Sequence, residues 1–272
     1  MNIILVMLLN IQEYIIDNIK NMQNFQNNNI YVITEKRFEN FFKDINIKLI
    51  FIEDHIPNFI SIKNACQNTI RNGFWEMTSY RFYALYMIME IYNITNVIHL
   101  ENDVVIYKNL DTFSLHSYDK IIITMDAHNR CIPGIMYIPN YLLLKECYNN
   151  FNHRLNDMQN WAKCFHEKKF IDTFPIIDKH NDFIFLSANF SHYKCIFDAA
   201  PIGQFLGGID PRNDPKNTVG FVNETCEINY SIYQFIWKKD SNNNNIPYIV
   251  INNETIPIIN LHIHSKNLKN FI

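Results

Sequence analysis

The chain has 272 residues, 48% of them hydrophobic and 14% aromatic, enough for one large core or two small ones. Its formal net charge of -3 provides no basic field to draw in nucleic acid, which argues against that class of partner. None of its six cysteines (Cys66, Cys131, Cys147, Cys164, Cys195 and Cys226) forms a C-x-x-C pair. That argues against a zinc knuckle and suits free thiols in a reducing compartment.

The apolar start, Met1 to Leu9, lacks the basic leader and small-residue cleavage site of a signal peptide. Asn10, Gln12 and Glu13 interrupt it well before the roughly 20 apolar residues of a membrane span. Ile3–Leu9 therefore reads as a buried first strand, and a cytoplasmic protein without a transmembrane segment is expected. The sequons at Asn93, Asn189, Asn223, Asn229 and Asn253 would matter only in a secreted chain. Ile11, Tyr14, Ile15, Ile19 and Met22 recur at helical spacing, and the Gln/Asn-rich stretch from Gln23 to Asn29 ends that helix. Strand Ile30–Thr34, a short helix over Phe38–Phe42 and strand Ile47–Ile52 follow. A long helix over Met77–Tyr92 turns Phe82, Leu85, Tyr86 and Met89 inward, and strand Val97–Leu100 comes next. Strands alternating with helices imply βαβ units and a mostly parallel sheet flanked by helices, in which ligands bind at the carboxyl ends of strands.

The second half predicts strands at Ile121–Met125, Ile135–Ile138 and Phe183–Leu186, and a helix over Tyr141–Phe151. Four of the six glycines (Gly203, Gly207, Gly208 and Gly220) fall in the segment from Asp198 to Asn213 and its continuation. That concentration reads as a pocket wall, where backbone turns sharply or approaches a ligand, although an irregular connecting loop has a similar composition. Ser241–Asn245 is expected at a hairpin tip. With no repeat or linker, one domain is the simplest organisation. Residues 1–110 and residues 111–272 would form its two halves, with a smaller subregion set off in the second.

The chemistry centres on Glu101-Asn102-Asp103, where Val97–Leu100 leaves the core. Two carboxylates one residue apart at a strand end can face one divalent cation and, through it, a phosphate; elsewhere such triplets are solvated turns. In Ile258–Lys266, strand alternation would put His262 and His264 on one face, and one or both could be metal ligands. Lys266 and Arg81 could contact phosphate, Arg81 alternatively a carboxylate. Asp182 stands at a predicted strand border and reads better as a turn residue. Asp198, Asp210 and Glu224 are carboxylates near the glycine segment that could serve as a general base, and the sequence does not choose among them.

Four segments together resemble the GT-A glycosyltransferases that use a DXD motif. They are His99-Leu-Glu-Asn-Asp103-Val104, the helix carrying Arg81, Gly134-Ile-Met-Tyr-Ile138, and His262-Ile-His-Ser-Lys266. The Asp198–Asn213 segment also resembles capsid-glycan glycosyltransferases of large DNA viruses, which would place the chain in a host cytoplasm. The resemblance implies transfer of a hexosyl or deoxyhexosyl group from a nucleotide-diphosphate sugar, UDP favoured, to a hydroxyl of a glycan or glycoprotein. Mn²⁺ or Mg²⁺ would be held by Asp103, Glu101, His262 and His264. Donor contacts would come from Glu101, Asn102, Arg81, Gly134 and Lys266, and Asp198 would be the base of an inverting course. Glu101 departs from the pattern, so Asp103 is the firmer ligand, and Glu101 would act directly, through water or through the donor ribose. Two other readings share a strand-end cation or its remnant: a metal-dependent nucleotidyltransferase, and a non-catalytic carbohydrate-binding protein with a decayed site.

Overall fold

The computed structural model describes residues 1–25, 29–67, 73–213, 216 and 218–272. The first half contains β1 (Asn2–Met7), α1 (Tyr14–Phe25), β2 (Ile30–Thr34), a 3-10 helix over Lys36–Phe42, β3 (Lys48–Phe51), α2 (Ile52–His55), α3 (Phe59–Gln67) and α4 (Phe74–Ile91). Then follow β4 (Val97–Leu100), β5 (Val104–Ile106), β6 (Ile121–Ile123), β7 (Met125–Ala127), β8 (Arg130–Cys131) and β9 (Ile135–Ile138). The remainder comprises α5 (Tyr141–Asn149), α6 (Asp157–Glu167), β10 (Ile171–Thr173), α7 (Phe190–Tyr193), α8 (Pro201–Gly207), β11 (Gln234–Lys239), β12 (Asn245–Ile251), β13 (Glu254–Pro257) and β14 (Asn260–His262).

Seven strands form the central sheet in the order β10-β6-β9-β4-β1-β2-β3. All neighbours pair in parallel except β9, which runs against both β4 and β6. This is the expected α/β class with a mostly parallel sheet. Alternation along the strands sends side chains to two separate cores. Ile4 and Val97 pack on the α4 side, while Ile3, Leu5, Ile98 and Leu100 pack with Ile15 and Ile19 of α1 on the other. Both faces being covered explains why β4 and β9 are buried at every position instead of at alternate ones. Smaller antiparallel units stand beside the sheet: β11-β12-β13, β7-β8 and β14-β5. Asp240 accepts from the backbone N–H of Asn242 and Asn244, which fixes the hairpin tip expected at Ser241–Asn245. Among the described residues no helix is long and apolar enough to cross a membrane.

One sequence expectation lies partly outside the described residues, and three change. α1 is described over Tyr14–Phe25, and residues 26–28 of the stretch expected to end it lie outside the described residues. Ile121–Met125 is not one strand: β6 stops at Ile123, and Met125 begins a hairpin with β8. Phe183–Leu186 is not a strand but ends in a 3-10 turn over Ile184–Leu186. Its carbonyl at Phe185 accepts from the Thr173 hydroxyl at 2.6 Å, and Phe183 and Phe185 lie against the His128 ring, so the run caps β10 instead of extending the sheet. A short apolar run carries no periodicity that separates the two outcomes. The glycine segment, finally, is partly helical, containing α8.

At the carboxyl end of the sheet Glu35 ties β1 to β2. It is 2% exposed and accepts from the Leu9 N–H at 2.7 Å, from Arg37 Nε at 2.9 Å, and from Lys63. Burial acts to raise its pKa, and the two cations with the Leu9 N–H more than offset this and lower it. A carboxylate depressed on folding contributes stability above its unfolded pKa and loses it as pH falls toward the folded one. Glu35→Gln should therefore cost about 1–3 kcal/mol near neutrality. In urea titrations the difference from wild type should shrink below pH 4.5, the ordinary carboxyl value. A difference independent of pH would contradict this role.

Candidate metal and donor site

The acidic triplet lies between β4 and β5, a tight turn closed by the Val104 N–H donating to the Glu101 carbonyl at 3.0 Å. The chain end returns to it. β14 pairs antiparallel with β5, placing His262 opposite Val104, and the Ile263 N–H donates to the Asp103 carbonyl at 2.9 Å. This register brings His262 Nε2 to 3.0 Å from Glu101 Oε2 and 3.3 Å from Asp103 Oδ1. Glu101, Asp103 and His262 offer one ligand atom each, and these atoms lie within 4.8 Å of one another, a carboxylate–carboxylate–imidazole set that fits a divalent cation.

Positive groups surround these acids. Arg81 of α4 binds Glu101 through Nη1 and Asp157 through Nη2, the latter at 3.0 Å. Lys266 binds Asp103 Oδ2. Burial acts to raise both carboxyls; Arg81 and His262 hold Glu101 well below the usual carboxylate range, and Lys266 and His262 do the same for Asp103. Burial acts to lower His262, and the two carboxylates reverse this, lifting it to about 10. Three carboxylates (Glu101, Asp103 and Asp157) thus face three cations: Arg81, His262 and Lys266. A dication arriving here competes with the imidazolium proton and with the lysine for the same oxygens.

His264 stands apart from the cluster despite its spacing. The strand ends at His262, and the His264 N–H turns back to the His262 carbonyl at 3.1 Å, so alternation no longer governs. The two rings are still neighbours, with centroids 4.4 Å apart. Gln204 Nε2 of α8 lies 3.1 Å from His264 Nδ1. Burial, and then the charge of His262, push His264 down to about 3, so it is neutral.

Other expected site residues are held by contacts within the chain. Asn102 is 7% exposed, and its amide donates to the Val6 carbonyl at 2.9 Å and to Gln12 at 2.5 Å. Gly134 is buried under His262: a Cβ there would stand 2.9 Å from His262 Nδ1. Its carbonyl accepts from the Glu101 N–H at 2.8 Å. Asp198 is 2% exposed, with both oxygens committed to backbone N–H groups. Oδ1 accepts from Ile202 at 3.0 Å, and Oδ2 from Gly203 and His262, each at 2.9 Å. Burial raises its carboxyl to about 6, and the three backbone N–H groups act against that rise. It therefore clamps α8 to β14, and at 2% exposure it lies buried beneath these elements instead of standing open to an acceptor hydroxyl as the expected base would. Asp210 is likewise engaged by Arg212, with Nε at 3.0 Å. Asp182 is exposed in the turn before Phe183.

Sequence reasoning missed Asp157, Gln204 and Asn223. Asp157 opens α6 behind a readable capping box of Asn156 and Gln159, but nothing local tells that it reaches Arg81.

No protein-family model and no curated protein matches the chain. Among solved structures it is similar to mouse xyloside xylosyltransferase 1, at 11% identity over 64% of this chain and 84% of that one, with a TM-score of 0.46. The glycosyltransferase GlyE of Streptococcus pneumoniae aligns at 11% identity over 65% of this chain and 46% of that one, so the chain spans less than half of its length, with a TM-score of 0.41. The PaToxG glycosyltransferase aligns at 11% identity over 62% and 69%, with a TM-score of 0.39. Likenesses this partial carry no conclusion about activity.

The closeness of α8 to β14 can be tested. A Cβ at Gly203 would meet the His262 carbonyl oxygen at 2.1 Å, and backbone cannot yield there without moving His262. Gly203→Ala should destabilise the protein by about 1–3 kcal/mol in denaturant titrations, the range for overpacking. It should also weaken Mn²⁺ binding measured by calorimetry. Unchanged stability and metal affinity would contradict the packing described.

Proposed function

We propose that the chain is a GT-A-like glycosyltransferase that moves a sugar from a nucleotide-diphosphate donor, a UDP-sugar favoured, to a hydroxyl of a glycan or glycoprotein. The observation that carries this reading is the convergence of Glu101, Asp103 and His262 at the carboxyl end of β4, beside Lys266. Parallel sheets bind ligands at that end. Asp103, Glu101 and His262 would hold Mn²⁺ or Mg²⁺, which when bound supplies positive charge against a diphosphate leaving group.

The chain's own residues have separate tasks in this reading. Arg81 fixes the Glu101 carboxylate from behind, with Asp157 as its second partner. Lys266, 27% exposed at its side chain, is free to leave Asp103 for an anionic oxygen, and its ammonium suits phosphate as a compact point charge. Arg212, whose side chain is 74% exposed, is a second cation at the rim. Asp198 positions His262 by its backbone. The single-domain organisation, with a nucleotide half in residues 1–110 and an acceptor half in 111–272, belongs to this proposal. So does a cytoplasmic setting, which six free thiols suit.

The reading is tested with Mn²⁺ and a panel of UDP- and GDP-sugars, following slow release of the nucleoside diphosphate. One donor should be hydrolysed in a metal-dependent way. Asp103→Asn should lower that rate by about 100-fold or more while the far-ultraviolet circular dichroism stays unchanged. Release of pyrophosphate from a nucleoside triphosphate instead would favour a nucleotidyltransferase. No hydrolysis across the panel, with no thermal stabilisation by Mn²⁺, would sink the enzymatic reading.

A further inference from the structure

A chain of hydrogen bonds of fixed polarity runs from the β7–β8 hairpin to His264. It starts at an unambiguous donor, the backbone N–H of Thr225, which reaches Asn223 Oδ1 at 3.1 Å. Arg130 Nη2 approaches the same oxygen at 3.5 Å, while Arg130 Nε donates to buried Asp126 at 2.8 Å. Asn223 Oδ1 is therefore the acceptor and its Nδ2 the donor, and Nδ2 donates to Gln204 Oε1 at 2.9 Å. Gln204 Nε2 must then be the donor to His264 Nδ1, 3.1 Å away. A ring nitrogen that accepts carries no proton, so the proton of His264 is on Nε2.

That Nε2–H is buried and has no acceptor among the described residues. Buried polar groups in native proteins nearly always have partners, so an oriented N–H without one is held for an atom outside the chain. The ring adjoins His262, which touches both carboxylates of the cluster. An N–H cannot ligate a cation, and Nδ1 is already taken by Gln204. It can bind an anionic oxygen brought there by a cation.

We propose that His264 is not a further metal ligand but an oriented neutral donor to an oxygen of the donor's diphosphate, with Gln204 and Asn223 as its positioning residues. The identity of that acceptor rests on the proposed function; the tautomer does not. This corrects the equivalence of His262 and His264 that their spacing implies. His262 Nε2 faces the acids, whereas His264 Nε2 presents hydrogen.

Two measurements test the assignment. Nitrogen-15 NMR of histidine-labelled protein at neutral pH should show His264 in the Nε2–H form. Gln204→Glu, which offers only acceptors, should move its proton to Nδ1. Calorimetry then follows Mn²⁺ alone, and UDP and GDP in the presence of Mn²⁺. His264→Ala should leave Mn²⁺ affinity within about twofold and weaken diphosphate binding by about tenfold, the size of one hydrogen bond to a charged group. His264→Gln, which can still donate, should recover most of the loss. Loss of Mn²⁺ binding in His264→Ala would make His264 a ligand and overturn the proposal. An Nδ1–H tautomer in wild type, or unchanged diphosphate affinity in His264→Ala, would overturn it equally. If wild type binds neither Mn²⁺ nor a nucleoside diphosphate, the proposed function falls and takes this acceptor with it, an outcome distinct from the other three.

Discussion

The pairing of β14 with β5 is the constraint on which the site depends. Three residues of ladder bring His262 to Val104 across most of the chain's length, and so set an imidazole against carboxylates that precede β5 by one and three positions. Such a short ladder holds little register by itself. Asp198 supplies the rest: it binds the His262 N–H on one side and two N–H groups of α8 on the other. Asn260 adds a reciprocal pair, donating to the Asp198 carbonyl at 3.0 Å and accepting from its N–H at 3.2 Å. Gly203 and Gly134 then give the backbone and ring of His262 room that a Cβ would fill. Gly134 and Gly203 thus serve close packing, whereas Gly208, just past α8, takes a positive φ and turns the chain.

Electrostatics sets the second constraint. Glu101, Asp103 and Asp157 are nearly enclosed, and buried charge must be paired. Arg81 is fixed between two of the acids, Glu101 and Asp157. Lys266, longer in reach and more exposed, is the cation free to exchange. The same charges that make the cluster stable without a metal thus make it selective. In the proposed function a ligand would bring positive charge to replace Lys266 and would release that lysine toward the anion that accompanies it.

The fold was legible wherever the chain keeps a long period. Strands β1 to β4 with α1 and α4 follow directly from apolar runs and helical spacing, and the parallel sheet follows from their alternation. Short runs without a period were not legible, as Phe183–Leu186 shows. Within the site the convergence of His262 on the acids matched the expectation from His-x-His spacing, because β14 continues as far as His262. The alternation expected to carry His264 to the same face breaks because the strand ends at His262 and the chain turns there. Asn102, Gly134 and Asp198 stand in the motif segments, yet most of their partners, Val6, Gln12, Glu101 and His262 among them, lie far off in sequence. A lone sequence marks such residues as special without telling scaffold from ligand contact. The pairing of Arg81 with Asp157 is of the same kind: one end lies in a helix expected from its apolar face, the other in a helix whose capping box says only where it begins.

The central claim is that one imidazole, His262, completes a cation site with Glu101 and Asp103. Pulsed electron paramagnetic resonance of Mn²⁺ bound to protein carrying nitrogen-15 histidine counts directly bonded imidazole nitrogens. The account predicts one such nitrogen, lost in His262→Ala and retained in His264→Ala. Two coupled nitrogens, or one that survives His262→Ala, would contradict it.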